Sequence, residues 1–87
     1  EQGAQIDLLF DRPDDAITLC EIKYTSKPFV IDRAYAESLE RKRRVFKERT
    51  ETHKQLFLTL ISANGIHQNS YSEELINSVV TLDDLLA

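Results

Sequence analysis

The chain has 87 residues, room for one small domain with a modest core. Charged residues make up 30% and apolar ones 41%, which excludes a disordered or fibrous polypeptide and suits a globular domain. A net charge of −4 gives no whole-chain argument for nucleic acid, the lone Cys20 excludes an internal disulfide framework, and no apolar run reaches the roughly 18 residues of a membrane helix. A single thiol and no visible signal peptide lead us to expect a cytoplasmic protein.

Two apolar, β-branched runs open the chain. Residues 4–10 (Ala-Gln-Ile-Asp-Leu-Leu-Phe) read as a strand, and residues 16–24 (Ala-Ile-Thr-Leu-Cys-Glu-Ile-Lys-Tyr) as a second. Between them, Asp11-Arg12-Pro13-Asp14-Asp15 carries turn chemistry. Residues 25–31 form a connector, in which Pro28 biases Lys27 away from helical angles. Asp32 then suits an N-cap, and an amphipathic helix follows over residues 33–49. Its thin apolar stripe runs through Tyr35, Leu39, Lys42 or Arg43, and Phe46. Residues 54–63 are apolar on both alternating sets, the pattern of a central strand covered on both faces. Strand, helix and strand make a βαβ unit, so residues 16–24 and 54–63 are expected to be parallel neighbours. Asn64-Gly65 ends that strand. Ser70 with Glu73 suggests a capping box and a short helix over 71–77. Val79-Val80 reads as a short edge strand. Thr81 with Asp84 is another capping-box pattern, before a final helical turn that carries Leu82, Leu85 and Leu86.

The hairpin concentrates the chemistry. Folding about Asp14 places Asp7 opposite Glu21, because each lies seven residues away. Opposed side chains stand roughly 5 Å apart at Cβ. Two carboxylates so placed in an apolar setting repel each other, and a divalent cation compensates that repulsion. Oxygen donors suit Mg²⁺ or Mn²⁺. Lys23 follows two residues on, along the same face, and adds positive charge at that point. The plainer reading is a salt-bridged hairpin with Asp7 partly exposed. Gln5 shares the face of Asp7 and could support the site from behind, or simply be solvated.

Asp7 followed by Glu21-Ile22-Lys23 resembles the signature of the PD-(D/E)XK, or restriction-endonuclease-like, nuclease superfamily, with Ile6 where Pro is usual. Residues 3–12, 19–24 and 55–60 together resemble the C-terminal nuclease-like domain of prokaryotic AAA-type P-loop ATPases. The resemblance implies an α/β fold with a mixed sheet and flanking helices. It also implies a C-terminal fragment of a longer chain, lacking an N-terminal helix and a first strand. The piece would then be one nuclease-like domain over residues 1–87, linked to an ATPase in the same polypeptide. Asp7, Glu21 and the backbone carbonyl of Ile22 would hold Mg²⁺ or Mn²⁺. Lys23 would position the attacking water, making Lys23, Asp7 and Glu21 the catalytic set for hydrolysis of nucleic acid, DNA above all. The same resemblance leaves room for an inactive module that binds nucleic acid or a partner, and for a structural scaffold. A first strand with no neighbour would offer an edge for a homodimer.

Arg41-Lys42-Arg43-Arg44, with Lys47 and Arg49, gathers 6 of the 11 Lys and Arg residues. These are candidate phosphate contacts. They equally suit a solvated helix face balanced by Glu37, Glu40 and Glu48. Lys42 stands apart, since it falls near the apolar stripe and can reach towards the carboxylates. His53 and His67 lack partners at zinc spacing. Cys20 points away from Glu21 and reads as a buried thiol. No Gly-rich phosphate loop and no Ser-His-Asp set can be assembled.

Overall fold

The computed structural model describes residues 6–86. They form a four-stranded mixed sheet in the order β1-β2-β3-β4. The strands are β1 (Leu8–Arg12), β2 (Ala16–Lys23), β3 (Gln55–Ser62) and β4 (Ser78–Thr81). Helix α1 (Arg33–Thr50) links β2 to β3, α2 (Ser70–Leu75) links β3 to β4, and α3 (Leu82–Leu86) follows.

The hairpin turns as its composition dictates, with some strand length moved into the expected turn. Asp11 and Arg12 belong to β1, and Pro13-Asp14-Asp15 alone makes the bend. Asp15 takes the left-handed conformation, φ 65°, which closes a three-residue hairpin loop. Arg12 reinforces the bend through an ion pair to Asp14 at 2.6 Å. The antiparallel register is centred on Asp14, from Arg12↔Ala16 to Leu8↔Cys20. Residues 4 and 5 of the expected first strand, Gln5 among them, lie outside the described residues.

β2 and β3 are parallel, as the βαβ pattern requires, and so are β3 and β4. Asp32 caps α1, its side chain accepting from the Tyr35 N–H at 2.8 Å. Helix α2 is capped one residue earlier than expected and ends sooner. Asn69, not Ser70, is the N-cap, and Ser72 closes the reciprocal box. Thr81 and Asp84 do form their box, with bonds of 2.9 and 3.2 Å.

The core lies on one face of the sheet. Ile17 and Leu19 of β2 with Leu58 and Leu60 of β3 meet Ala36 and Leu39 of α1 and Leu75 of α2. Ile31 joins them at 0% exposure, although its segment reads as a connector in the sequence. Asn69 Nδ2 donates to its carbonyl at 3.1 Å, which holds that segment down. The other face is covered unevenly, with Phe57 and Ile61 of β3 half-buried and the neighbouring strands more open. Thr59 and Cys20 are buried there, yet Leu8, Phe10 and Ile22 are 40%, 52% and 48% exposed. Apolar residues on both sets identify a central strand by pairing, and do not guarantee that a layer lies on each face.

Candidate functional site: a buried carboxylate between two lysines

β2 ends at the site. Alternation places Ile17, Leu19, Glu21 and Lys23 on the core face. Ile17 and Leu19 continue inward, and Glu21 is carried in with them to 4% exposure. A carboxylate at that depth requires a partner. It finds one on α1: Lys42 Nζ donates to Glu21 Oε1 at 2.7 Å. Lys42 can do this because Tyr35, Lys42 and Phe46 share one stripe, at steps of seven and four residues.

Asp7 sits one step beyond the last β1–β2 pair, where the register brings it to Glu21. Its environment differs from the expected apolar setting, since Asp7 is exposed. Its Oδ2 accepts the backbone N–H of Ile22 at 2.9 Å, taking up a donor where the ladder has stopped. Among the described residues, Asp7 Oδ1 and Glu21 Oε2 are left with no protein donor.

Lys23 occupies the expected face with an unexpected partner. Its ammonium lies 4.8 Å from the Tyr35 ring centroid and 5.5 Å from that of Phe29. The two rings meet edge-on at 5.0 Å, so Lys23 rests in an aromatic corner by cation–π attraction. It forms no ion pair among the described residues. Phe29 is fixed there by a bridge to Ile66, with the His67 N–H donating to the Phe29 carbonyl at 2.9 Å. The cation on Glu21 is therefore Lys42, which the tetrapeptide Arg41–Arg44 offers at one helical phase only.

Tyr35 completes the group. Its hydroxyl is buried with no hydrogen-bond partner among the described residues. Burial first, then the charges of Glu21 and Asp7, push the phenol well above its ordinary value of 10.0. The hydroxyl thus lies within electrostatic reach of both carboxylates and is held neutral. An orphaned buried hydroxyl costs about 1–3 kcal/mol. Its place on the apolar stripe made Tyr35 a core residue in the sequence, and two helical turns to Lys42 were the one signal of more. Cys20 is on the opposite face, as expected, its thiol raised by burial and then by Glu21.

Among the described residues no group of three or more His, Cys, Asp or Glu is gathered as a metal cluster. Two carboxylates, each with one free oxygen, and a backbone carbonyl still suit Mg²⁺, which keeps several waters and commonly takes one or two carboxylates. By donor type alone, these residues suit such an ion.

The basic segment is divided by helical phase. Lys42 faces the core side, while Arg43 pairs with Glu40 at 2.7 Å and Arg43, Arg44 and Lys47 line a surface cavity with His53. Arg41 lines a different hollow, between α1 and α2. The four consecutive basic residues are not one surface.

Comparisons with protein-family models, curated proteins and solved structures find no match to this chain. No helix among the described residues is long and apolar enough to cross a membrane.

Proposed function

We propose that this chain is a divalent-metal-dependent nuclease domain of the restriction-endonuclease-like class, which hydrolyses nucleic-acid phosphodiesters and works beside a P-loop ATPase in the same polypeptide. The observation that carries the reading is that Asp7, which accepts the Ile22 N–H, and the buried Glu21 lie at one end of β2, both within electrostatic reach of the Tyr35 hydroxyl. Asp7, Glu21 and the carbonyl of Ile22 would hold Mg²⁺ or Mn²⁺. A metal in that place supplies an activated water and stabilises charge on the phosphoryl group. Lys42 and Lys23 share the cationic work in this scheme. Lys42 neutralises Glu21 before an ion enters. Lys23, held by rings and not by a carboxylate, keeps its ammonium available to a phosphoryl oxygen. Tyr35, kept neutral, has an uncommitted proton that it would donate to an incoming oxygen, and it would not compete as an anion for the metal.

The test is a Mn²⁺ titration followed by NMR, with Asp7→Asn as control. Broadening centred on Asp7, Glu21 and Ile22, and absent from the variant, is the expected outcome. Uniform or absent broadening in a folded sample sinks the metal reading. A second reading, an inactive module that binds nucleic acid or a protein partner, is favoured by one observation: Lys42 already neutralises the buried carboxylate. Cleavage by the wild type that survives both Asp7→Asn and Lys23→Ala would favour that module and a contaminating activity.

A further inference from the structure

A surface cavity lies away from the carboxylates, and its lining is basic. It encloses about 590 Å³ where the C-terminal half of α1 meets the start of β3. Arg43, Arg44 and Lys47 come from the helix, and His53 and Lys54 from the segment that follows. Glu40 is the one carboxylate in the lining. At about 100° per residue, Glu40, Arg43, Arg44 and Lys47 fall within an arc of roughly 100°, with Lys42 on the opposite side. In a chain of net charge −4, four permanent cations thus line one hollow, Arg44 from the ridge it shares with the hollow between α1 and α2.

The ion pairs leave much of that charge unspent. Arg43 is satisfied by Glu40 and Lys54 by Asp11, each at 2.7 Å. Arg44 and Lys47 have no ion-pair or hydrogen-bond partner among the described residues. Two cations at the helix C-terminus already offset its dipole, and that effect is worth only about 0.3–1 kcal/mol. It accounts for basic residues near the last turn. It does not account for His53 and Lys54 turning into the same hollow from another element.

We propose that this cavity is a second phosphate site, which grips the backbone of a nucleic-acid strand away from the point of cleavage. The proposal rests on the phosphodiester reading given above. The lining selects phosphate over base. Leu56 is its one aliphatic side chain and His53 its one aromatic ring, so cations far outnumber surfaces on which a base could stack. The grip is therefore independent of sequence and sensitive to salt. Lys42, which holds Glu21, is only five residues from Lys47, about 7.5 Å along the helix axis, but it faces the opposite side of α1, so the cavity and the carboxylate site are separated by helical phase. A strand held there is anchored without touching the reacting group.

The test measures binding of a fluorescently labelled, mixed-sequence single strand to this chain in EDTA, at several salt concentrations. Arg44→Glu with Lys47→Glu should weaken binding roughly tenfold and reduce the slope of log affinity against log salt by about 1.4, the share of two phosphates on a single strand. Arg44→Gln with Lys47→Gln, milder for the helix, should move both in the same direction by a smaller amount. Unchanged affinity in both double variants overturns the proposal, and so does a wild type that binds polyglutamate but not the oligonucleotide, or neither. The two ideas fail separately. Lost Mn²⁺ broadening with retained oligonucleotide binding would remove the nuclease reading and leave the phosphate site standing.

Discussion

Lys42 and Arg43 are neighbours in the chain, and each forms an ion pair of 2.7 Å, yet the two pairs do different physical work. The Lys42–Glu21 partners have side-chain exposures of 24% and 5%, and the Arg43–Glu40 partners 33% and 51%. Distance is equal, so solvent decides. Water screens the second pair and can replace either partner. It reaches little of Glu21, whose charge has only Lys42 to answer it among the described residues. One pair ties a helix to a strand across 21 positions. The other links adjacent turns of one helix.

The contrast can be broken most sharply at Lys42. In metal-free protein, Lys42→Met should cost about 3–5 kcal/mol, because it leaves a buried carboxylate without its counter-ion. Urea denaturation measures this. Adding Glu21→Gln should restore most of the loss, since the amide carries no charge to desolvate. A cost under about 1 kcal/mol for Lys42→Met would mean that the two pairs are alike and that burial does not separate them.

Tyr35 sharpens the same comparison from the other side, as a buried hydroxyl with no hydrogen-bond partner among the described residues. Tyr35→Phe should raise the stability of the metal-free protein by about 1 kcal/mol, because it removes a hydroxyl that folding strands. The effect depends on pH. The folded phenol is held above its ordinary value of 10.0, while the unfolded chain ionises near it. Above that pH the unfolded state binds fewer protons, so stability falls as pH rises. The wild type should therefore lose stability more steeply than Tyr35→Phe on the alkaline side. Parallel curves would place the phenol in ordinary solvent.

The smallest effect is expected at the exposed pair. Glu40→Ala should change stability by less than about 1 kcal/mol, as judged from thermal unfolding at low and high salt. It should also leave Arg43 free to add to the basic cavity, so oligonucleotide affinity rises slightly as stability barely moves. A drop in affinity would mean that Glu40 orients Arg43 for its ligand.

Much of the fold was legible in residue order. The hairpin centre at Asp14, the cap at Asp32, the parallel pairing of β2 with β3 and the Thr81–Asp84 box are local or periodic features. Short-range sterics and alternation set them, and the structure has all four. The α2 cap was misplaced by one residue because Ser70 and Asn69 are both competent, and only Asn69 can also reach the Ile31 carbonyl. Ile31 was missed as core because a residue outside any period gives no signal of its burial. The uneven cover of the second face was missed because a row of apolar side chains does not say what lies over it.

By itself the sequence determined the hairpin register about Asp14 and the face of β2 that carries Glu21 and Lys23, since a period of two and a fixed turn leave little choice of register. Only the tertiary structure decided which lysine meets Glu21. That choice turns on how α1 docks on the sheet, and rotating a helix by one residue exchanges Lys42 for Arg41 or Arg43. Core packing of Ala36 and Leu39 settles the rotation, places Lys42 on the carboxylate, leaves Lys23 to the rings of Phe29 and Tyr35, and turns Arg44 and Lys47 into the cavity on the other side.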